Sequence, residues 1–124
     1  MKGKAAIVSA LLALLVALVS GCRLRDERTV VISTPGIHNE ACAARAKMEI
    51  LKLKGVDPTR LSFDLKERTV TVVYDSMQLG RKNLEHAICD AGFAANDLKP
   101  TPEAVAALPS SCMIGAAQQN GDGR

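Results

Sequence analysis

The chain has 124 residues, room for one small domain. Its 16 Lys and Arg stand against 13 Asp and Glu, a net charge of +3, but two of the lysines fall within the first four residues, and without residues 1–21 the balance is 14 to 13. With no Trp, one Tyr and two Phe, the chain has neither a strong basic bias nor stacking platforms, so nucleic acid is not expected as a partner.

The opening MKGKAAIVSALLALLVALVSGC sets Lys2 and Lys4 before an apolar run, Ala5 to Val19. That run is short of the about 20 residues a bilayer span needs and fits a secretory h-region. Its ending, VSGC, resembles the bacterial lipoprotein signal. The resemblance implies that residues 1–21 are removed and that Cys22 is acylated on its sulfur and amino group, with 22–28 as a linker. A single transmembrane anchor with an incidental cysteine is the competing reading. On the lipoprotein reading the mature chain is membrane-attached through Cys22 and extracytoplasmic, where thiols oxidise. Arg23, rather than aspartate, follows Cys22, which favours the outer membrane in a cell with two membranes. With Cys22 given to lipid, Cys42, Cys89 and Cys112 remain, an odd number that cannot all pair within one chain.

Thr29 to Thr34 alternates, with Val30, Ile32 and Thr34 on one face, and reads as a strand ended by Pro35-Gly36. Asn39 is a fitting N-cap for a helix running to about Leu53, with Glu40 in its first turn and Ala43, Ala46, Ile50 and Leu53 as its apolar stripe. Gly55 ends it. Leu61, Phe63 and Leu65, then Val70, Val72 and Tyr74, alternate on either side of a Lys66-Glu67-Arg68 turn and predict a hairpin. Arg81 to Ala91 reads as a second helix with Leu84, Ala87, Ile88 and Ala91 inward. Gly92 closes it, and Phe93 to Asp97 reads as a short last strand. The order β-α-β-β-α-β is the ferredoxin-like unit, an α+β sandwich of a four-stranded antiparallel sheet with two helices on one face. Residues 98–114 read as an extension in which Thr101 caps a short helix, Pro102 starts it, and Pro109 stops it before Cys112. Residues 115–124 read as a disordered tail.

Residues 29–97 resemble the heavy-metal-associated domain of copper chaperones, P-type ATPase tails and periplasmic mercury-binding proteins. The likeness rests on GIHNEAC for the family's G-M-x-C-x-x-C and on Gly55-Val56 thirteen residues after Cys42. TVTVVYD and LEHAICDAGF, for the family's I-x-x-A-I-x-x-A-G-Y, complete it. The family places two thiolates on this loop, where two-sulfur coordination suits Cu(I) or Hg(II). Here Asn39 stands at the first cysteine position and only Cys42 is kept. Some envelope proteins that look like this domain carry an extension ending in Leu-Pro-x-Cys-Cys. The end LPSSC, residues 108–112, resembles it with Ser111 for one cysteine, which implies Cys112 as the partner of Cys42.

Four chemistries are open to that thiol. Cys42 and Cys112 would be thiolate ligands of a soft metal with His38 as a third, the helix start lowering the Cys42 pKa; His38 is otherwise a solvated loop histidine. The two would alternatively form a structural disulfide. Two copies, each giving Cys42, would bridge one ion in a homodimer. Last, the site would be decayed, on a domain used for protein contacts. Cys89 reads as a small hydrophobe at the flank of the core, and Met48, Met77 and Met113 are too scattered for a cluster.

An enzyme is not expected: acylphosphatases share the fold, but TPGIHNEAC lacks their arginine, and no C-x-x-C or Ser-His-Asp set is present. The chain is thus read as an envelope lipoprotein that binds Cu(I) or Hg(II), ahead of Zn(II), for buffering or for transfer to a metal-transport partner protein. The alternative is a Cys42–Cys112 disulfide-stapled protein-interaction module without metal.

Overall fold

The computed structural model describes residues 6–14 and 25–113. Residues 6–14 are helical and exposed, and among the described residues no helix is long and apolar enough to cross a membrane. Cys22, most of the segment read as a signal, and the tail 115–124 lie outside the described residues.

From residue 25 onward the chain is α+β. Strand β1 (Glu27–Ser33) leads to helix α1 (Glu40–Leu51), a single 3-10 turn (Pro58–Arg60), the hairpin β2 (Ser62–Asp64) and β3 (Thr69–Asp75), helix α2 (Arg81–Asp90) and the short helix α3 (Pro102–Ala106). The sheet is antiparallel in the order β1-β3-β2. Seven residue pairs, Glu27↔Asp75 to Ser33↔Thr69, fix the register of β1 on β3.

The alternation in the sequence sets which face is buried. Ile32, Val70, Val72 and Tyr74 of the sheet form one core with Ala43, Ala46 and Ile50 of α1 and with Leu84, Ala87 and Ile88 of α2. Both helices therefore lie on that face. On the other, Thr29, Val31 and Ser33 are exposed, while Val73 is buried. The β2–β3 turn follows from Asp64, whose carboxylate accepts from the backbone N–H groups of Lys66 and Glu67, and from Arg68 at φ 55°. Across the helices, Arg45 Nε donates to the carbonyl of Ala91 at 3.0 Å.

The expected fourth strand over Phe93–Asp97 is not formed; among the described residues the sheet has three strands. The cause is local. Helix α2 ends in a Schellman arrangement in which Gly92 (φ 103°) donates to Cys89 O and Phe93 donates to Ile88 O, so the chain leaves the helix turned inward. Ala94, Ala95, Asn96 and Asp97 are poor strand formers, and Asn96 adopts a left-handed conformation (φ 51°). Ala95 and Leu98 close a tight turn, and the edge of β1 gains one residue as neighbour instead of a strand. Asn96 N–H donates to Ser33 O, and Asn96 Oδ1 accepts from Ser33 N–H, both at 2.9 Å. A polar cleft of about 450 Å³, lined by Val31, Ser33, Arg81, Lys82, Glu85 and Asn96, remains beside that edge.

Asn96 also braces a buried charge. Glu85 is 1% exposed; its carboxylate accepts from Asn96 Nδ2 at 2.7 Å and pairs with Lys82 Nζ at 3.0 Å. Burial pushes the Glu85 carboxyl up, but the hydrogen bonds from Asn96 and Lys82 and the charges of Lys82 and Arg81 outweigh it and hold the group below its ordinary range. Asn96→Ala removes the side-chain partner of Ser33 N–H and one of the partners of Glu85, and puts alanine, which tolerates positive φ less well than asparagine, at φ 51°. It is expected to lower the unfolding free energy by about 2–3 kcal/mol, read from the urea midpoint at unchanged slope.

Candidate functional site: the loop before the first helix and the arm that covers it

The loop 34–39 is built to present the start of α1. Thr34, fully buried, takes Arg68 O through its N–H at 2.8 Å, and its own carbonyl accepts from Ile37 N–H at 3.1 Å. Arg68 Nη1 donates to Pro35 O at 2.9 Å and braces the turn. Ile37, 1% exposed, anchors the loop in the core. Asn39 is the N-cap, in extended conformation, and its Oδ1 accepts from Cys42 N–H at 2.9 Å. Cys42 thus sits in the first turn of α1 on the buried side.

The extension supplies the second half. Thr101 Oγ1 accepts from Ala104 N–H and Pro102 opens α3. Leu108 is buried, and it seats on Gly92, where an added Cβ would come within 2.7 Å of Leu108 Cδ2 and 2.8 Å of Ala104 O. Glycine is required at that contact by space as well as by its φ. Cys112 N–H then donates to Pro109 O at 2.9 Å, which turns the chain toward the loop.

The two elements meet at sulfur. Cys42 and Cys112 are joined as a disulfide, S–S 2.14 Å and Cα–Cα 5.8 Å, across 70 residues of chain, and both residues are 0% exposed. His38 precedes Cys42 by four residues but is engaged locally: Nδ1 donates to Gly36 O at 3.3 Å, which leaves Nε2 to accept from Asn39 Nδ2 at 3.3 Å. Among the described residues no group of three or more His, Cys, Asp or Glu could hold a metal ion. The donor set at hand is two sulfurs, soft and adjacent, which in the dithiol form fits a low-coordinate soft cation and not a hard one. While the sulfurs are bonded to each other they offer no thiolate.

Cys89 takes no part. It is a free cysteine, 7% exposed, deeper than the flank position the sequence suggests. Burial pushes its thiol up, a hydrogen bond from Ala95 N–H opposing this in part, so it is a poor thiolate. Arg68 as brace of the loop and Gly92 as seat for the arm were not visible in the sequence, because both act through contacts distant along the chain.

Residues 31–94 match the heavy-metal-associated domain. The chain belongs to the heavy-metal-associated domain family. It is 32% identical over 69 residues to the mercuric transport protein periplasmic component of Serratia marcescens, covering 56% of this chain and 74% of that protein. Among solved structures it is similar to oxidised MerP from Ralstonia metallidurans CH34, at 28% identity and a TM-score of 0.53 over 57% of this chain and 96% of that one. It is also similar to a copper-binding domain from the P-type ATPase HMA7, at 25% identity and a TM-score of 0.52 over 57% of this chain and 93% of that one. The matched span of the heavy-metal-associated domain stops at residue 94, so the arm that carries Cys112 lies beyond it.

Proposed function

We propose that this heavy-metal-associated protein carries a soft heavy-metal ion, copper or mercury in class, at the cell envelope, and that the reduced thiols of Cys42 and Cys112 hold the ion. The observation that carries this reading is the adjacency of a second sulfur, from the arm, to the one cysteine left on the family's loop. The relatives named for mercuric transport and for copper binding support the choice of cargo. The MKGK…VSGC opening supports attachment through a lipidated Cys22, outside the cytoplasm. The ion would be buffered there or passed to a membrane transport partner, and the protein does no chemistry of its own.

The disulfide favours a second reading, a stapled interaction module that takes no ion. Metal loading separates the two. Reduced under anaerobic conditions and given one equivalent of Cu(I), the protein is expected to retain one ion per chain in native mass spectrometry, and the oxidised protein none. A reduced protein that retains no ion leaves the stapled module.

A further inference from the structure

Asn39 occupies the position of the family's first cysteine and uses its one amide three ways. Oδ1 accepts from Cys42 N–H at 2.9 Å, and Nδ2 donates both to His38 Nε2 at 3.3 Å and to Ser111 O at 3.1 Å. The last bond joins the loop to the arm across 72 residues, one residue before Cys112. We propose that Asn39 is a clamp: it holds the arm over Cys42 whether or not the two sulfurs are bonded, so that Cys112 stays in place as the second thiol.

The arm has the means to remain after reduction. Leu108 is buried on Gly92, and Cys112 is fixed in a turn by Pro109 O. Neither these contacts nor the Asn39–Ser111 bond uses a sulfur atom. When a dithiol reductant opens the bond, its two electrons and two protons become the Cys42 and Cys112 thiols, and the reductant leaves as its own disulfide. The loop then faces a docked thiol rather than a free chain end. This rests on the two-thiol reading above for its use, though not for its test.

Asn39→Ser separates the clamp from the cap, since serine is an equally good N-cap but too short to reach Ser111. The full chain is reduced and labelled with iodoacetamide, and the rates at Cys42, Cys89 and Cys112 are followed by peptide mass spectrometry. In the parent, Cys112 is expected to label well below the rate of an unstructured cysteine. In Asn39→Ser, the Cys42 and Cys112 rates should rise together by about three- to tenfold, the opening expected for one lost hydrogen bond, while buried Cys89 stays unchanged. A parent Cys112 that labels like a free cysteine overturns the clamp. So does an Asn39→Ser protein with parental rates, or one in which all three sites speed up equally. A reduced parent that takes up no Cu(I) sinks the metal reading and not the clamp, which labelling alone decides.

Discussion

Reduction of the Cys42–Cys112 bond is expected to lower the unfolding free energy by about 4 kcal/mol. The bond closes a loop of 70 residues, and in the chain-entropy account a loop of that size restricts the unfolded ensemble by roughly this amount. For a domain of about 100 residues the corresponding fall in melting temperature is on the order of 20 °C. The native fold should survive, because most of the core comes from β1, β3, α1 and α2, and Leu108 seats the arm on Gly92. Urea unfolding with and without reductant measures the difference, and unreduced Cys112→Ser should match the reduced parent. A loss under about 1 kcal/mol would mean that the unfolded chain already keeps its ends together.

Removing either thiol is expected to cost the reduced protein a hundredfold or more in Cu(I) affinity. Ions held by four side chains bind with about 10–16 kcal/mol, roughly 3 kcal/mol per ligand, and a site of two ligands has none to spare. Cys42→Ser and Cys112→Ser should therefore fail alike in competition with a chromogenic chelator. Cys89→Ser should bind as the parent does, since that thiol is buried and poorly ionised. His38→Ala should change little, because both ring nitrogens are engaged with Gly36 and Asn39. Parental affinity in Cys42→Ser would end the two-thiol site.

The core was legible because its signals are local and periodic. The apolar stripes over 43–50 and 84–91, the alternation at 70, 72 and 74, and the Asn39 and Thr101 caps each predict an element that is present. The fourth strand was not, because position rather than residue preference suggested it; Ala94-Ala95-Asn96 after a Schellman turn has neither the propensity nor the backbone for a strand. In the site, the capping role of Asn39 could be read from its type and place. The resemblance of LPSSC to the family's extension pointed to Cys112 as the partner of Cys42, but the bond from Asn39 to Ser111 O could not be read, since a backbone carbonyl carries no residue-specific signal. Likewise Gly92 was visible as a helix stop, but its role as a floor for Leu108 depends on where the arm returns.

Strand β1 precedes Cys42, so it lies outside the closed ring that runs from residue 42 to 112, whereas β2, β3, α2 and α3 lie within it. Tension drawn through the N-terminus would reach β1 first and peel it from β3 one pair at a time, beginning at Glu27↔Asp75, before meeting any covalent restraint. The β1–β3 seam is thus held by noncovalent pairs alone, whereas the elements from β2 to α3 are closed into one covalent ring.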